Sequence, residues 1–328
     1  MGRSEIDDSG VRGRSTLGRR EFLGRSVLVG AGVATGALAI PAAAHAAALF
    51  PSSRFGFAAD GNRTPRFSAA TANRMMDLVT GVGASWYRFT FGQDVLYDAG
   101  RAAGISNFLA CMVFDPSQSP ASLAASAVAG LRRYPAVTAI EVGNEPNLIP
   151  GFSAPSYMRY LIAVRAAVKS VNPSVSVGSA GLANGGADAG AYLRSMYDHG
   201  LAANSDWVGV HPYTYPALPR AAFTGGGLLP SSRAIMVRAG DSGKKLWLTE
   251  FGASTGITPD SVSRDVQART YSDALGYLAQ QSWCGTVFAY EPFDQGAGVG
   301  PREGFFGVWD QFGNPKPAAA AIRAAIAR

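Results

Sequence analysis

Short runs of apolar and β-branched residues alternate along the chain with longer, alanine-rich segments whose apolar positions recur at helical spacing. The runs at Arg54–Ala58, Ser85–Phe91, Ser106–Phe114, Val137–Gly143, Val175–Ser179, Trp207–Tyr213, Lys245–Glu250 and Thr286–Tyr290 have the length and composition of buried strands. Helical patterns lie between them at Ala69–Val82, Val95–Ala103, Ser119–Arg132, Ser156–Val171, Ala187–His199, Ser231–Ala239, Ser261–Gln281 and Pro317–Ala327. Strand and helix alternate eight times, in about the ~250 residues such a closed arrangement needs. The pattern predicts an α/β fold, a single-domain (β/α)8 TIM barrel, ahead of an open doubly wound sheet.

The first 46 residues follow another pattern. Arg19-Arg20-Glu21-Phe22-Leu23 is a twin-arginine motif, followed by a modestly apolar run from Ser26 to Ile40 and by Ala44-His45-Ala46, an A-x-A cleavage site. The run is short and glycine-rich against the ~20 apolar residues of a membrane span. Residues 1–46 therefore read as a twin-arginine signal peptide, with an uncleaved anchor as the alternative. The expectation is a secreted or cell-envelope protein, without stable membrane insertion after processing. Residues 47–328 read as one catalytic domain, long enough for a real core.

The leader holds six arginines against four acidic residues, so the net charge falls from +6 to +4 without it. That excess is mild, and no basic run or aromatic–basic interleaving appears, so nucleic acid is not an expected partner. Cys111 and Cys284 both sit in or beside predicted strands. The exported compartment permits a disulfide between them, and a core of this size does not require one. Only His199 and His211 remain after the leader, too little for a histidine-based metal site, so no metal or organic cofactor is expected. The glycine-rich Gly30–Gly36 lies in the leader and lacks a preceding strand, and Val177–Gly181 is one glycine short of a nucleophile elbow.

The candidate chemistry is carried by two glutamates. Glu145 follows Ile140-Glu141-Val142-Gly143-Asn144, and Glu250 follows Lys245-Leu246-Trp247-Leu248-Thr249. Each ends a buried strand at a turn, where a carboxylate is costly unless paired or used. They would close the fourth and seventh strands, and a barrel gathers its chemistry at the carboxyl ends of its strands. Two carboxylates there suit glycoside hydrolysis, one as acid and one as nucleophile. Glu141, on the same side of its strand but deeper, reads as a buried structural carboxylate paired with an arginine or hydroxyl.

With those residues in place, the chain resembles the clan A retaining glycoside hydrolases, closest to families 39 and 5. Asn144-Glu145-Pro146 is similar to their Asn-Glu-Pro motif, Glu250 in Leu-Thr-Glu-Phe-Gly to their strand-seven nucleophile, and His211-Pro212-Tyr213 to their His-x-Tyr. Arg88 sits like the clan's strand-two arginine, and Asp310–Ala318 resembles its closing turn into the last helix. The resemblance implies that Glu145 is the acid/base and Glu250 the nucleophile, that Asn144 bonds the sugar 2-hydroxyl, and that Tyr213 bonds the nucleophile. Tyr215 is the alternative for that last contact. Gly143 replaces the aromatic many relatives carry before the motif, and Tyr290 stands where a tryptophan is frequent.

Substrate contacts are expected from Arg88, Asn144, His211, Tyr213, Tyr290 and Glu291, with Asp294 beside the last. Trp86, Phe114, Tyr215, Phe223, Trp283, Phe293, Phe305 and Phe306 join Tyr290 on the predicted face, where rings can cover the C–H faces of sugars. Tyr290, Tyr215 and Phe223 are the preferred platforms. Long segments after the sixth and eighth strands, Thr214–Pro230 and Glu291–Gly304, favour a cleft and internal cleavage. The expected reading is a secreted, monomeric, retaining glycosidase acting on a polysaccharide or oligosaccharide. A non-catalytic carbohydrate-binding barrel and a transglycosylase using the same glutamates are the alternatives.

Overall fold

The structure is a computed structural model that describes residues 49–59, 67–113, 115–184 and 188–327. The leader assigned to residues 1–46, and Phe114, lie outside the described residues. Eight strands of the described chain form one parallel sheet: β1 (Phe55–Ala58), β2 (Trp86–Thr90), β3 (Asn107–Met112), β4 (Val137–Val142), β5 (Ser176–Ser179), β6 (Trp207–His211), β7 (Lys245–Phe251) and β8 (Cys284–Tyr290). Each pairs in parallel with its neighbours in sequence. β8 returns to β1 at Phe288↔Gly56, and β5 meets β6 at Gly178↔Trp207, which closes the barrel. A short strand at Leu182–Ala183 reinforces that last seam on β6, and Phe50–Pro51 pairs with Ile326–Ala327 outside the barrel.

The helices lie where the periodicity places them: α1 (Ala69–Gly81), α2 (Asp94–Ala102), α3 (Pro120–Arg133), α4 (Ala154–Val171), α5 (Ala189–Asp198), α6 (Leu228–Arg238), α7 (Arg264–Leu278) and α8 (Pro317–Ala325). Serine punctuates them. Ser68, Ser119, Ser153 and Ser263 each accept a backbone N–H from the first turn, satisfying one of its orphan donors. Sequence periodicity put two of these starts at Ser156, inside its helix, and at Ser261, ahead of its cap, because the apolar pattern alone does not tell a capping serine from its neighbours. The segment Thr214–Pro230, expected as loop, contains a short helix at Pro219–Thr224 and the start of α6. No helix of the described residues is long and apolar enough to cross a membrane.

Two apolar cores result. The larger fills the space between barrel and helices. The smaller lies inside the barrel and is built of aromatic rings, with Trp86, Trp207, Trp247 and Phe288 at its base. Trp207 and Trp247 stack at 4.3 Å and 7°, and Trp86 meets Trp247 edge-on at 5.3 Å. Rings this large fit because their strand neighbours have no side chain. A Cβ on Gly178 would lie 2.1 Å from the Trp207 ring, and one on Gly285 would lie 2.1 Å from Trp247. The barrel is thus plugged from below, and Trp86 and Trp283 belong to that end or to the outer packing rather than to the substrate face.

Candidate active site

At the carboxyl ends of the strands, Glu145 stands one turn beyond β4. Its backbone is left-handed, φ 45° and ψ 51°, and it is the one non-glycine residue among those described with positive φ. Such a conformation costs of order 1–3 kcal/mol and persists only where neighbours over-determine it. Here the Glu145 N–H donates to Gly181 O at 3.1 Å, its carbonyl accepts from Leu148 N at 2.9 Å, and Asn147 clasps both backbone groups of Ala183. The side chain is aimed by these bonds into the barrel mouth, where it is 8% exposed.

Glu250 enters from β7. Register explains its aim: Leu248 and Phe251 of β7 pair with Val287 and Ala289 of β8, so three steps on one strand oppose two on the other. This bulge lets Thr249 and Glu250 both bond groups inside the barrel, although strict alternation would send one outward. Arg88 of β2 reaches Glu250 Oε1 through Nη1 at 2.9 Å, and the Tyr213 hydroxyl donates to Oε2 at 2.8 Å. Tyr213, not Tyr215, makes that contact. Each predicted partner of Glu250 is therefore at hydrogen-bonding distance.

Arg88 does more than sequence reasoning assigned to it. Its Nε donates to Glu141 Oε2 at 2.6 Å, and its Nη2 to Asn144 Oδ1 at 2.7 Å and to Cys111 Sγ at 3.2 Å. Burial opposes its charge, yet Cys111, Glu141 and Glu250 around it raise its pKa well above the ordinary guanidinium value. One guanidinium so binds four residues brought by β3, β4 and β7. Glu141 is fully buried and pairs with this arginine and with the Thr249 hydroxyl, the structural carboxylate that alternation predicts. Cys111 and Cys284 are both free thiols.

His211 closes β6 with its ring between the two carboxylates. Its Nδ1 lies 2.9 Å from Glu145 Oε1 and 3.6 Å from Glu250 Oε2. One atom from each of Glu145, His211 and Glu250 lies within 4.8 Å of the others, a set that offers ligands for a metal ion. Arg88 already supplies positive charge to the same Glu250, so the donor set fits a cation poorly.

The predicted aromatic wall divides. Tyr213, Tyr215, Tyr290 and Phe306 form an edge-to-face cluster with centroids 5.2–6.4 Å apart, beside Glu250. Tyr290 is buried, while Tyr213 and Tyr215 are half-exposed. Phe223, a preferred platform by sequence, is 1% exposed and packs on Phe251 and Tyr277 in the outer core. Glu291 is buried, accepts from Gln295, and its charge helps raise the pKa of Tyr87 and Tyr271, after their burial. It is joined to Tyr290 by a cis peptide. Asp294, expected to meet sugar hydroxyls, instead pairs with Lys316 at 2.7 Å and accepts from Gly307 N. Burial raises the Asp294 pKa and lowers that of Lys316.

The segments after β7 and β8 are fastened together above the site. Thr255 N donates to Phe305 O at 2.9 Å, Ile257 N to Pro301 O at 3.1 Å, and Ser254 Oγ to Arg302 O at 2.7 Å. Arg302 pairs with Asp260 at 2.6 Å, and Lys316 reaches Thr255 Oγ1 at 2.9 Å. Sequence reasoning singled out neither this clasp nor Thr249 and Gly181, which bear on His211.

Neither a family model nor a curated protein matches the chain by sequence. Solved structures do match by fold. A family 39 glycoside hydrolase from the gut symbiont Bacteroides cellulosilyticus is 22% identical with a TM-score of 0.64, over 84% of this chain and 64% of its own. A family 2 β-galacturonidase from Eisenbergiella tayi is 16% identical, TM-score 0.61, over 84% of this chain and 50% of its own. A family 128 endo-β-1,3-glucanase from Amycolatopsis mediterranei, solved with laminaritriose, is 22% identical, TM-score 0.56, over 83% of this chain and 99% of its own. The chain thus spans about half to two thirds of the length of the first two. What all three share with it is the (β/α)8 barrel.

Proposed function

We propose that the protein is a retaining glycoside hydrolase of the clan A type, with Glu145 as acid/base and Glu250 as nucleophile. The observation that carries this reading is the approach of the two carboxylates at the ends of β4 and β7, with oxygens within 4.8 Å. Double displacement works at a separation of about 5–5.5 Å, whereas inversion needs ~6.5–9.5 Å to seat a water. The surroundings differ as the two roles require. Glu250 receives a guanidinium and a phenol, which hold and orient its two oxygens. Glu145 meets a histidine. Asn144 gives only its carbonyl to Arg88, which leaves its amide hydrogens for a sugar hydroxyl. Tyr215 and Tyr290 offer ring surface beside the nucleophile.

The substrate in this reading is a polysaccharide or oligosaccharide cleaved internally, outside the cytoplasm, by a monomer exported through the twin-arginine route. The fold neighbours named for glucanase and galacturonidase activities support carbohydrate as the substrate class. The test is product release from a panel of bacterial and plant polysaccharides, read by mass spectrometry, with Glu250→Gln in parallel. Oligosaccharides formed by the unmodified protein alone support hydrolysis, and NMR must show the retained anomer first. Azide should restore turnover of an activated glycoside to Glu250→Ala. Equal binding of a polymer by both proteins without any product would refute the enzyme and favour a binding barrel. Products longer than the substrate would make it a transglycosylase.

A further inference from the structure

Glu141 is fully buried and so screened from any bound sugar. Both of its oxygens accept from groups that can only donate: Oε2 from Arg88 Nε at 2.6 Å, Oε1 from the Gly181 N–H at 2.8 Å. The Thr249 hydroxyl donates to that same Oε1 at 2.6 Å. A threonine has one proton to give, so Thr249 turns only lone pairs to His211 Nε2, 3.1 Å away. Nε2 therefore carries a hydrogen. A neutral imidazole has one N–H, which leaves Nδ1 bare, and Nδ1 lies 2.9 Å from Glu145 Oε1. Two lone pairs do not face each other at that distance, so the contact holds a proton, on the carboxyl or on the ring.

We infer that Glu141 and Thr249 are positioning residues that hold His211 in the Nε2–H tautomer and thereby keep a proton on the Glu145–His211 pair. The inference rests on the reading of Glu145 as acid/base. The opposite tautomer would donate from Nδ1 to an ionised Glu145 and leave a base with no proton to give. The ring cannot easily turn away, because a Cβ on Gly181 would lie 2.1 Å from Nε2, so backbone packs directly on it. The other groups facing it are compatible with a retained proton. Glu250 of β7 lies 3.6 Å from Nδ1, itself bound by Arg88 of β2, and the Tyr213 ring stands edge-on at 6.5 Å with its hydroxyl on Glu250.

In the first half-reaction the shared proton passes to the leaving oxygen as the glycosidic C–O bond breaks and Glu250 bonds the anomeric carbon. Glu145 and Nδ1 then face each other bare, which is unfavourable. The pair recovers by taking a proton from the incoming water, whose oxygen bonds the anomeric carbon as the Glu250 ester breaks. The relay thus acts in both halves.

The test uses Thr249→Val, which removes the hydroxyl and keeps the shape, with Thr249→Ser as the conservative variant. The first readout needs no activity. In protein labelled with ¹⁵N-histidine, the His211 signals, assigned by their loss in His211→Asn, should show a protonated Nε2. That preference should be lost in Thr249→Val and kept in Thr249→Ser. The second readout compares a dinitrophenyl glycoside, whose leaving group needs no proton, with a phenyl glycoside of the same sugar. Thr249→Val should lose about tenfold more on the phenyl glycoside, a fraction of the 10²–10⁴ that general acid catalysis supplies. The alkaline limb of its pH–rate profile should move to lower pH, and serine should restore both. A structural role alone would lower both substrates equally and leave the profile in place. Nδ1–H in the unmodified protein, or a tautomer indifferent to Thr249→Val, would overturn the relay. Absence of any Glu250-dependent turnover would instead sink the parent reading, while the NMR result still decides the tautomer.

Discussion

Arg88→Met is the most informative single perturbation of this site. The guanidinium, 3% exposed, makes hydrogen bonds to Glu141, Glu250, Asn144 and Cys111. Methionine fills much the same volume and supplies none of them. Two carboxylates, one fully buried and one 7% exposed, then lose their counter-charge. Breaking a buried pair by removing one partner costs about 3–5 kcal/mol, because the remaining charge stays desolvated. For a domain of this size each kcal/mol lowers Tm by roughly 2–4 °C, so the loss is on the order of 6–20 °C. Scanning calorimetry at neutral pH measures it. Glu141→Gln added to Arg88→Met removes one of the stranded charges, so the double variant should be more stable than additivity allows by about 1 kcal/mol or more. A Tm for Arg88→Met within about 2 °C of the unmodified protein, or strict additivity in the cycle, would refute the idea that this cation holds the barrel mouth together.

Gly178→Ala should cost about 1–3 kcal/mol by overpacking the Trp207–Trp247 stack, and near-UV circular dichroism should report the displaced rings. An unchanged melting curve and spectrum would contradict the tight fit at the barrel base. Asp206 binds Lys169, Arg165 and the Val177 N–H, contacts that outweigh its burial and hold its pKa below the ordinary 3.8. A depressed carboxyl stabilises the fold above its unfolded pKa and loses that contribution as pH falls through the folded value. The Tm gap between the unmodified protein and Asp206→Asn should therefore be present at neutral pH and close below about pH 4. A constant gap down to pH 2 would count against it. Burial pushes the Cys284 thiol up to about 12 and raises Cys111 well above its usual range. Neither should be alkylated by iodoacetamide in the folded protein, and both should react in denaturant, as mass spectrometry of intact chains would show.

Strands were legible because each is a short apolar run bounded by turn residues, and their boundaries in the structure differ by one or two positions. The pairing of Glu145 with Glu250 followed from a rule of barrels: both end strands, and strand ends share a face. What sequence could not convey was depth and side. Trp86 reads by type like part of the substrate face, yet it begins its strand and plugs the base together with Trp207 and Trp247. Phe223 sits in a segment that reads as loop and in fact folds as a short helix, burying its ring. Asp294 and Lys316 are 22 residues apart and find each other only through the closing turn. Thr249 was hidden because alternation counted from Glu250 sends it outward; it shares the inner side with Trp247, and the bulge set by pairing with β8 brings Glu250 to that side too. The left-handed backbone at Glu145 is equally silent in sequence, because it is imposed by Gly181 and Asn147 rather than by local preference.

The clasp between the segments after β7 and β8 bears on how this scaffold can be altered. Residues 254–260 and 294–316 share backbone bonds, the Arg302–Asp260 ion pair and the reach of Lys316, itself paired with Asp294, to Thr255. Shortening or exchanging either segment alone would strip the other of its supports and leave Arg302 or Asp260 without its counter-charge. Grafts from another barrel that aim to change what this wall admits therefore have to carry both segments, with α7 and β8 between them, as one cassette. The segment after β6 shares none of these bonds, although it packs Tyr213 and Tyr215 on Phe306. Beyond those two rings it is the place where an insertion or a new side chain can be tried by itself.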